Sequence, residues 1–323
     1  MSQTASVRAA AGAWKRAIEW PTLGVAVAIY GAFGLLTWYH ALLPWWLLLP
    51  LGAYVVAWHG SLQHEASHGH PTPWAWVNEA LVLPSLWLWL PFRRYRDCHL
   101  THHLDENLTD PLDDPESWYV TTEAWARMGH PHRALRLALN TLAGRLLLGP
   151  AYCVWRLACS ELRLLASGAP GQARAWLPHL CGCLLVGGWA VGVCGLSPVT
   201  YLLAFAYPGV SLTLLRSFLE HRAVQPVAGR SVVVESGPVM ALLFLNNNLH
   251  ALHHAEPGTP WYRLPARYRA RRAALLSENG GYLYRGYGEI AARYLLRPKE
   301  PTVDPLARAA HLVVVMGPAS IKA

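Results

Sequence analysis

Polar and apolar positions are spread very unevenly along the chain. From Pro21 to Phe92 there is no Lys or Arg. Inside that region, Thr22 to Tyr39 is apolar on every face and long enough to cross roughly 30 Å of hydrocarbon at about 1.5 Å per residue. A short break at His40 to Pro44 follows, and Trp45 to about Gln63 returns. A second uncharged pair runs from Trp176 to Leu196 and from Pro198 to about Leu215, joined by a very short turn at Gly195 to Pro198. A soluble surface helix would show a polar stripe with a period near 3.6 residues. These runs show none, so the pattern predicts membrane spans at about 22–39, 45–63, 176–196 and 198–215. The first run is too long for a signal-peptide core and is followed at once by another, so no cleaved leader is expected.

Two other apolar stretches fail the test for a span. Leu81 to Phe92 (LVLPSLWLWLPF) is short and interrupted by Pro84 and Pro91, which predicts a re-entrant or surface-lying segment. Residues 137–159 are apolar but carry Arg145 and Arg156, which suits a helix lying in the interface.

Two hairpins place both termini and the central segment on one side, so residues 64–175 and 216–323 share a face. The basic residues Lys15, Arg16, Arg93, Arg94 and Arg96 lie there, as does the Arg-rich tail. By the positive-inside tendency that side is cytoplasmic. The expected fold is an all-α integral membrane protein, one domain over 1–323, in which two transmembrane hairpins carry a cytoplasmic helical cap.

Composition agrees. Hydrophobic residues make up 53% of the 323 and charged residues only 14%, well below the quarter usual for soluble chains. Sixteen Trp and fourteen Tyr against five Phe favour rings that sit at the headgroup level. The six cysteines form no C-x-x-C pair, which excludes a zinc ribbon and gives no disulfide framework. Nothing resembles a nucleic-acid module. Between Trp261 and Lys299 nine Lys or Arg face two Glu; that tail suits an anionic membrane surface or an acidic partner protein.

The candidate chemistry is in the histidines. The second predicted helix runs on into His64-Glu-Ala-Ser-His68. His-Leu-Thr-His-His spans 99–103, Glu220-His221 ends the fourth predicted helix, and His-Ala-Leu-His-His spans 250–254. All fall on the predicted cytoplasmic face. Residues i and i+3 or i+4 share a helix face, so each box is expected to aim its imidazoles at one point. With 16 His in 323 residues, chance gives about 0.8 H-x-x-x-H matches but only about 0.04 of H-x-x-H-H. Two copies of the latter are not accidental. Neutral imidazole binds iron, zinc, copper or nickel, and nine exceed what one tetrahedral zinc takes. They suit two cations of higher coordination. His40, His130, His132, His179 and His311 fit no such spacing and read as ordinary; His59 and His70 flank the first box, and His70 is expected to be exposed to solvent rather than to support a ligand ring.

HEASH, HLTHH and HALHH resemble the three histidine boxes of the membrane-bound fatty acid desaturase and hydroxylase superfamily. The resemblance extends from about residue 55 to 270 and includes Asp-Pro-Glu-Ser at 114–117 and NNNLHALHHAEPGTPWYRLP around the third box. It is nearest to the compact bacterial branch of fatty acid desaturases. It implies a non-haem di-iron centre with His64, His68, His99, His102, His103, His221, His250, His253 and His254 as ligands, two iron ions as cofactors and O2 as co-substrate. It further implies a fatty acyl lipid substrate and residence in a bacterial inner membrane with the site on the cytoplasmic side. Many eukaryotic acyl-CoA desaturases carry a longer first box, so the form of the acyl carrier stays open. One of Asn246, Asn247 and Asn248 is expected to hold a metal-bound water, with Asn246 favoured because it lies four residues before His250. Glu65, Asp97, Asp105, Glu106, Glu220 and Glu256 are the carboxylates near enough to orient ligand rings, about half of them expected to do so, while Asp110, Asp113 and Asp114 are expected to organise the loop after the second box. With no haem or dinucleotide motif, and no four-cysteine cluster, electrons must come from an external donor, such as an acidic ferredoxin-like protein docked on the basic tail. Two rivals remain: hydroxylation or ketolation of an alkane, carotenoid or other lipid, and a non-catalytic membrane metal-binding protein.

Overall fold

The computed structural model describes residues 17–104 and 107–306; Asp105, Glu106 and His311 lie outside them. The chain is mostly helical. The first two helices are α1 (Trp20–Trp38) and α2 (Trp45–Ser67), joined by a short 3₁₀ turn at His40–Leu42. Then come α3 (Ala75–Val82), α4 (Phe92–His102), α5 (Thr122–Arg127), α6 (His130–Leu139) and α7 (Leu142–Ala166). The second apolar pair is α8 (Gln172–Val193) and α9 (Pro198–Ser217). The last part carries α10 (Pro238–Leu243), α11 (His250–Ala255), α12 (Leu264–Glu278) and α13 (Tyr287–Tyr294). Two-residue strands β1 (Val233–Val234) and β2 (Leu283–Tyr284) pair in parallel, with Val233 opposite Leu283; this ladder is a small departure from an all-α fold.

Among the described residues, three helices are long and apolar enough to cross a membrane: α1, α8 and α9. The α6–α7 pair is apolar enough together but bent by 117°. The remaining expected span, α2, has 23 residues, yet its C-terminal half carries His59, Gln63, His64 and Glu65, all buried within the protein. His59 Nε2 lies 3.2 Å from Tyr30 Oη of α1, His64 meets Asn247, and Glu65 accepts from the Trp261 N–H, while α2 packs on both α1 and α9. Close approach needs small residues there. A Cβ on Gly52 would lie 2.4 Å from the Ala204 carbonyl, and one on Gly209 would lie 2.4 Å from Val56 Cγ1. Ala204 falls in a π-helical turn of α9, Leu202–Ala206.

No long helix forms over residues 83–91. Leu86 and Trp87 are instead buried, with the Trp87 ring against Gly60 of α2. Arg145 of α7 was expected to lie at the interface; it is buried inside the protein, its guanidinium over the Trp118 ring. Packing against an indole offsets part of the cost of burying that cation.

Candidate metal centre

Each histidine group reaches the centre from a helix end. His64 ends α2 and His68 caps it; His99 and His102 occupy the last turn of α4 and His103 caps it. His221 follows α9, where its backbone bridges to Ser231. His250, His253 and His254 lie in α11. The nine imidazoles gather into two groups. His64, His68, His99, His103 and His253 form one, and His102, His221, His250 and His254 the other. Within each group the ring nitrogens lie within 4.8 Å of one another.

This corrects the expectation that each box aims at one point. In HLTHH the outer pair joins the first group and His102 the second; in HALHH the outer pair joins the second group and His253 the first. The reason is helical rotation. Residues i and i+4 differ by about 40° around the axis, whereas adjacent residues differ by about 100°. The middle histidine must therefore point elsewhere, and two facing boxes exchange their middle rings.

The ring nitrogens fit cations. His99 Nδ1 lies 2.9 Å from Glu116 Oε1, and His102 Nδ1 lies 2.9 Å from Asp114 Oδ1. His250 Nδ1 lies 2.9 Å from Asn247 Oδ1. An ionised carboxylate only accepts, so His99 and His102 donate from Nδ1, and in the neutral ring Nε2 is then the lone pair open to a cation. His250 donates to the amide oxygen in the same way. Yet these Nε2 atoms face other Nε2 atoms: His68–His99 at 3.0 Å, His99–His103 at 3.2 Å and His103–His253 at 3.1 Å in the first group. In the second, His221 Nε2 lies 3.0 Å from that of His102 and 2.9 Å from that of His250, and it has one proton at most to give. A shared cation removes the lone-pair repulsion. With metal–nitrogen bonds near 2.1 Å, ligands at right angles sit about 3.0 Å apart and tetrahedral ones about 3.4 Å. Nitrogens that share one cation would lie at separations of this order.

Electrostatics point the same way. Burial, reinforced by repulsion between neighbouring imidazoles, holds His68, His103, His221, His250 and His253 well below the ordinary histidine range. They are neutral, the form that ligates. At His102 burial also lowers the pKa, but the charge of Glu116 and the hydrogen bond to Asp114 outweigh it and raise it to about 9. Burial would raise the Glu116 carboxyl, yet His102 and His99 pull it well below its usual range. Negative charge is thus already gathered against the rings.

The ring-orienting groups divide into those the sequence indicated and those it did not. Asn247 contacts both groups, donating from Nδ2 to His64 at 3.0 Å and accepting from His250. Glu65 lies 3.5 Å from His64 Nδ1, and Glu220 lies 3.5 Å from His250 Nδ1. Asn246 does not reach a ring. Its backbone is left-handed at φ 58°, before α11 begins, so it shares no helix face with His250; its amide donates to the Trp261 carbonyl. Asp97 is exposed and pairs with Arg96. Glu256 pairs with Arg267 and Arg271 of α12. His70 is buried against Glu19 rather than exposed. Asp114 does more than organise its loop, and Glu116 and Ser231, the last 3.2 Å from His221 Nδ1, were missed altogether. The Asp-Pro-Glu-Ser run was the available signal for the first two.

A cavity of about 920 Å³ adjoins the second group, lined by His102, His221, Glu116, Trp118, Tyr152 and Leu214 among others. Aromatic and aliphatic side chains share its wall with many charged and polar ones.

The sequence profile of the fatty acid desaturase family matches residues 36–286, and the chain belongs to that family. A search of curated proteins finds no match. The family, the histidine clusters and the apolar helices together fit a membrane-bound, metal-binding oxidoreductase of lipid metabolism.

Proposed function

With that membership as premise, we propose that the protein is an oxygen-dependent di-iron desaturase that introduces a double bond into a fatty acyl chain of a lipid or acyl thioester. The observation that carries this reading is the division of nine imidazoles into two cation-sized groups, the second of them beside a cavity. His64, His68, His99, His103 and His253 would hold one iron ion, and His102, His221, His250 and His254 the other. Bound iron would supply the oxidising power: two neighbouring methylenes, O2, two electrons and two protons become an alkene and two waters.

The chain's own residues do the rest. Asp114 and Glu116 fix the Nδ1 protons of His102 and His99, which keeps their Nε2 lone pairs free for the cation. Asn247 ties a ring of one group to a ring of the other and so sets their separation. Trp118, Tyr152 and Leu214 give the acyl chain a wall that excludes water. In our reading α1–α2 and α8–α9 form two hairpins in a bacterial inner membrane, with the metal centre on the cytoplasmic side. An external ferredoxin-like protein delivers the electrons, for which the basic α12 offers a docking face.

The test is expression in a bacterium with mass spectrometry of total lipids, comparing wild type with His253→Ala. A new unsaturated species that vanishes in the variant is the expected result. A hydroxylated or keto lipid instead would move the protein to the hydroxylase or ketolase reading. Tight zinc with no lipid product would make it a metal-binding protein.

A further inference from the structure

The buried and half-buried carboxylates on the cavity wall already have partners. Asp114 and Glu116 hold His102 and His99, Glu161 pairs with Arg94, Glu220 with Arg216, and Glu300 with Lys299. Two buried guanidiniums on the same wall have no carboxylate within ion-pair distance among the described residues. Arg145, 4% exposed, donates from Nε to the Leu139 carbonyl at 2.9 Å, while its Nη1 has no hydrogen-bond partner. Its carbon Cζ lies 3.4 Å from the centre of the Trp118 ring. Arg136, 5% exposed, donates to Tyr152 Oη at 2.6 Å and to the Trp118 carbonyl, and its Nε is unpartnered. Both side chains thus meet at Trp118.

Arginine keeps its charge in proteins, and a buried charge without a counter-ion is costly. The Trp118 face recovers only part of that cost. A guanidinium fork with free N–H groups is shaped for a carboxylate or a phosphate. From this geometry we infer that Arg145 and Arg136 seat the anionic head of the substrate inside the cavity, on the floor made by Trp118. The hydrocarbon tail then extends along the same cavity towards His102 and His221. This rests on the acyl-lipid reading above and narrows it: the substrate carries its own charged head, so an alkane or other neutral lipid is excluded.

The experiment measures binding of tritiated palmitate to the purified full-length protein in neutral detergent, with displacement by palmitate, hexadecanol and a lysophosphatidylglycerol. A charge-assisted contact predicts that palmitate binds at least about tenfold more tightly than hexadecanol. Arg145→Gln should lower palmitate affinity by about tenfold while leaving hexadecanol within about twofold, and Arg145→Lys should restore part of the difference. If Arg145→Gln loses its bound iron and fails to fold, the wild-type comparison decides alone. Palmitate tighter than the lysophospholipid assigns the head to a free carboxylate; the reverse assigns it to a lipid phosphate. Equal binding of palmitate and hexadecanol by wild type, or an undiminished preference in Arg145→Gln, overturns the inference. An oxidised lipid in the host without any head preference overturns only this seat. A clear head preference without an oxidised lipid leaves the seat standing and removes the desaturase reading.

Discussion

Replacing Asp114 by Asn changes a single hydrogen-bonding sign at the base of the four-histidine group. The side chain is 4% exposed. Its Oδ1 accepts from His102 Nδ1 and from the Glu116 N–H, each at 2.9 Å, and its Oδ2 accepts from the Thr109 N–H at 2.9 Å. A carboxamide has one acceptor oxygen, so one side of this arrangement must fail. With its oxygen in place of Oδ2, the amide nitrogen would face two donors. It would also force the His102 proton onto Nε2, aimed at His221. With its oxygen in place of Oδ1, only the Thr109 N–H is stranded. The second arrangement therefore prevails, at a cost of about 1–3 kcal/mol for one unsatisfied buried donor. His102 also loses a charged partner, which should weaken iron binding by about 10–100-fold, or about 1.4–2.7 kcal/mol. The loss should be confined to one group, because Asp114 bonds to none of the five rings of the other group. The assay is anaerobic Fe(II) titration of purified protein, with iron per chain by mass spectrometry and Tm in parallel. Wild type should bind two ions tightly; the variant should bind one tightly and one weakly. Asp113→Asn, at an exposed neighbour, should match wild type. Equal weakening of both ions, or two tight ions with unchanged Tm, would show that the Nδ1 contact does not set the His102 tautomer.

The division into two groups makes His68→Ala and His221→Ala complementary. Each should leave about one iron per chain and the double variant close to none; two ions retained in His221→Ala would break the assignment. Gly52→Ala pushes a methyl to 2.4 Å from the Ala204 carbonyl and should cost about 1–3 kcal/mol or more. Gly24→Ala, with nothing within 4 Å, is the control, and equal Tm values for the two would contradict the close approach of α2 and α9. Arg216→Met strands the buried Glu220 carboxylate, which Arg216 Nε meets at 2.7 Å; the loss should be about 3–5 kcal/mol. Adding Glu220→Gln should recover most of it. A single variant as stable as wild type would mean that water or another group already neutralises Glu220.

The amino-acid sequence by itself determined the helices, the apolar runs and the identity of the nine clustered histidines. It did so because those signals are local. An uncharged run of twenty residues reports its surroundings wherever it lies, and the i, i+3, i+4 spacing shows that a box belongs on a helix. The partition of the rings, the carboxylates behind them and the depth of Arg145 were decided only by tertiary structure. His102 and His253 cross to the opposite group because two helix ends face each other, and no single box contains that fact. Asp114 and Glu116 lie twelve and seventeen residues from the rings they hold, on a loop that returns to α4 by its own turns. Asn246 misled for the same reason in reverse: its spacing promised a helical face, but the backbone there is left-handed and the helix starts later. Arg145 read as an interfacial cation because charge on an apolar helix usually seeks water. Its actual place, against Trp118 on a cavity wall, depends on how α7 folds back, which the order of residues along α7 does not encode.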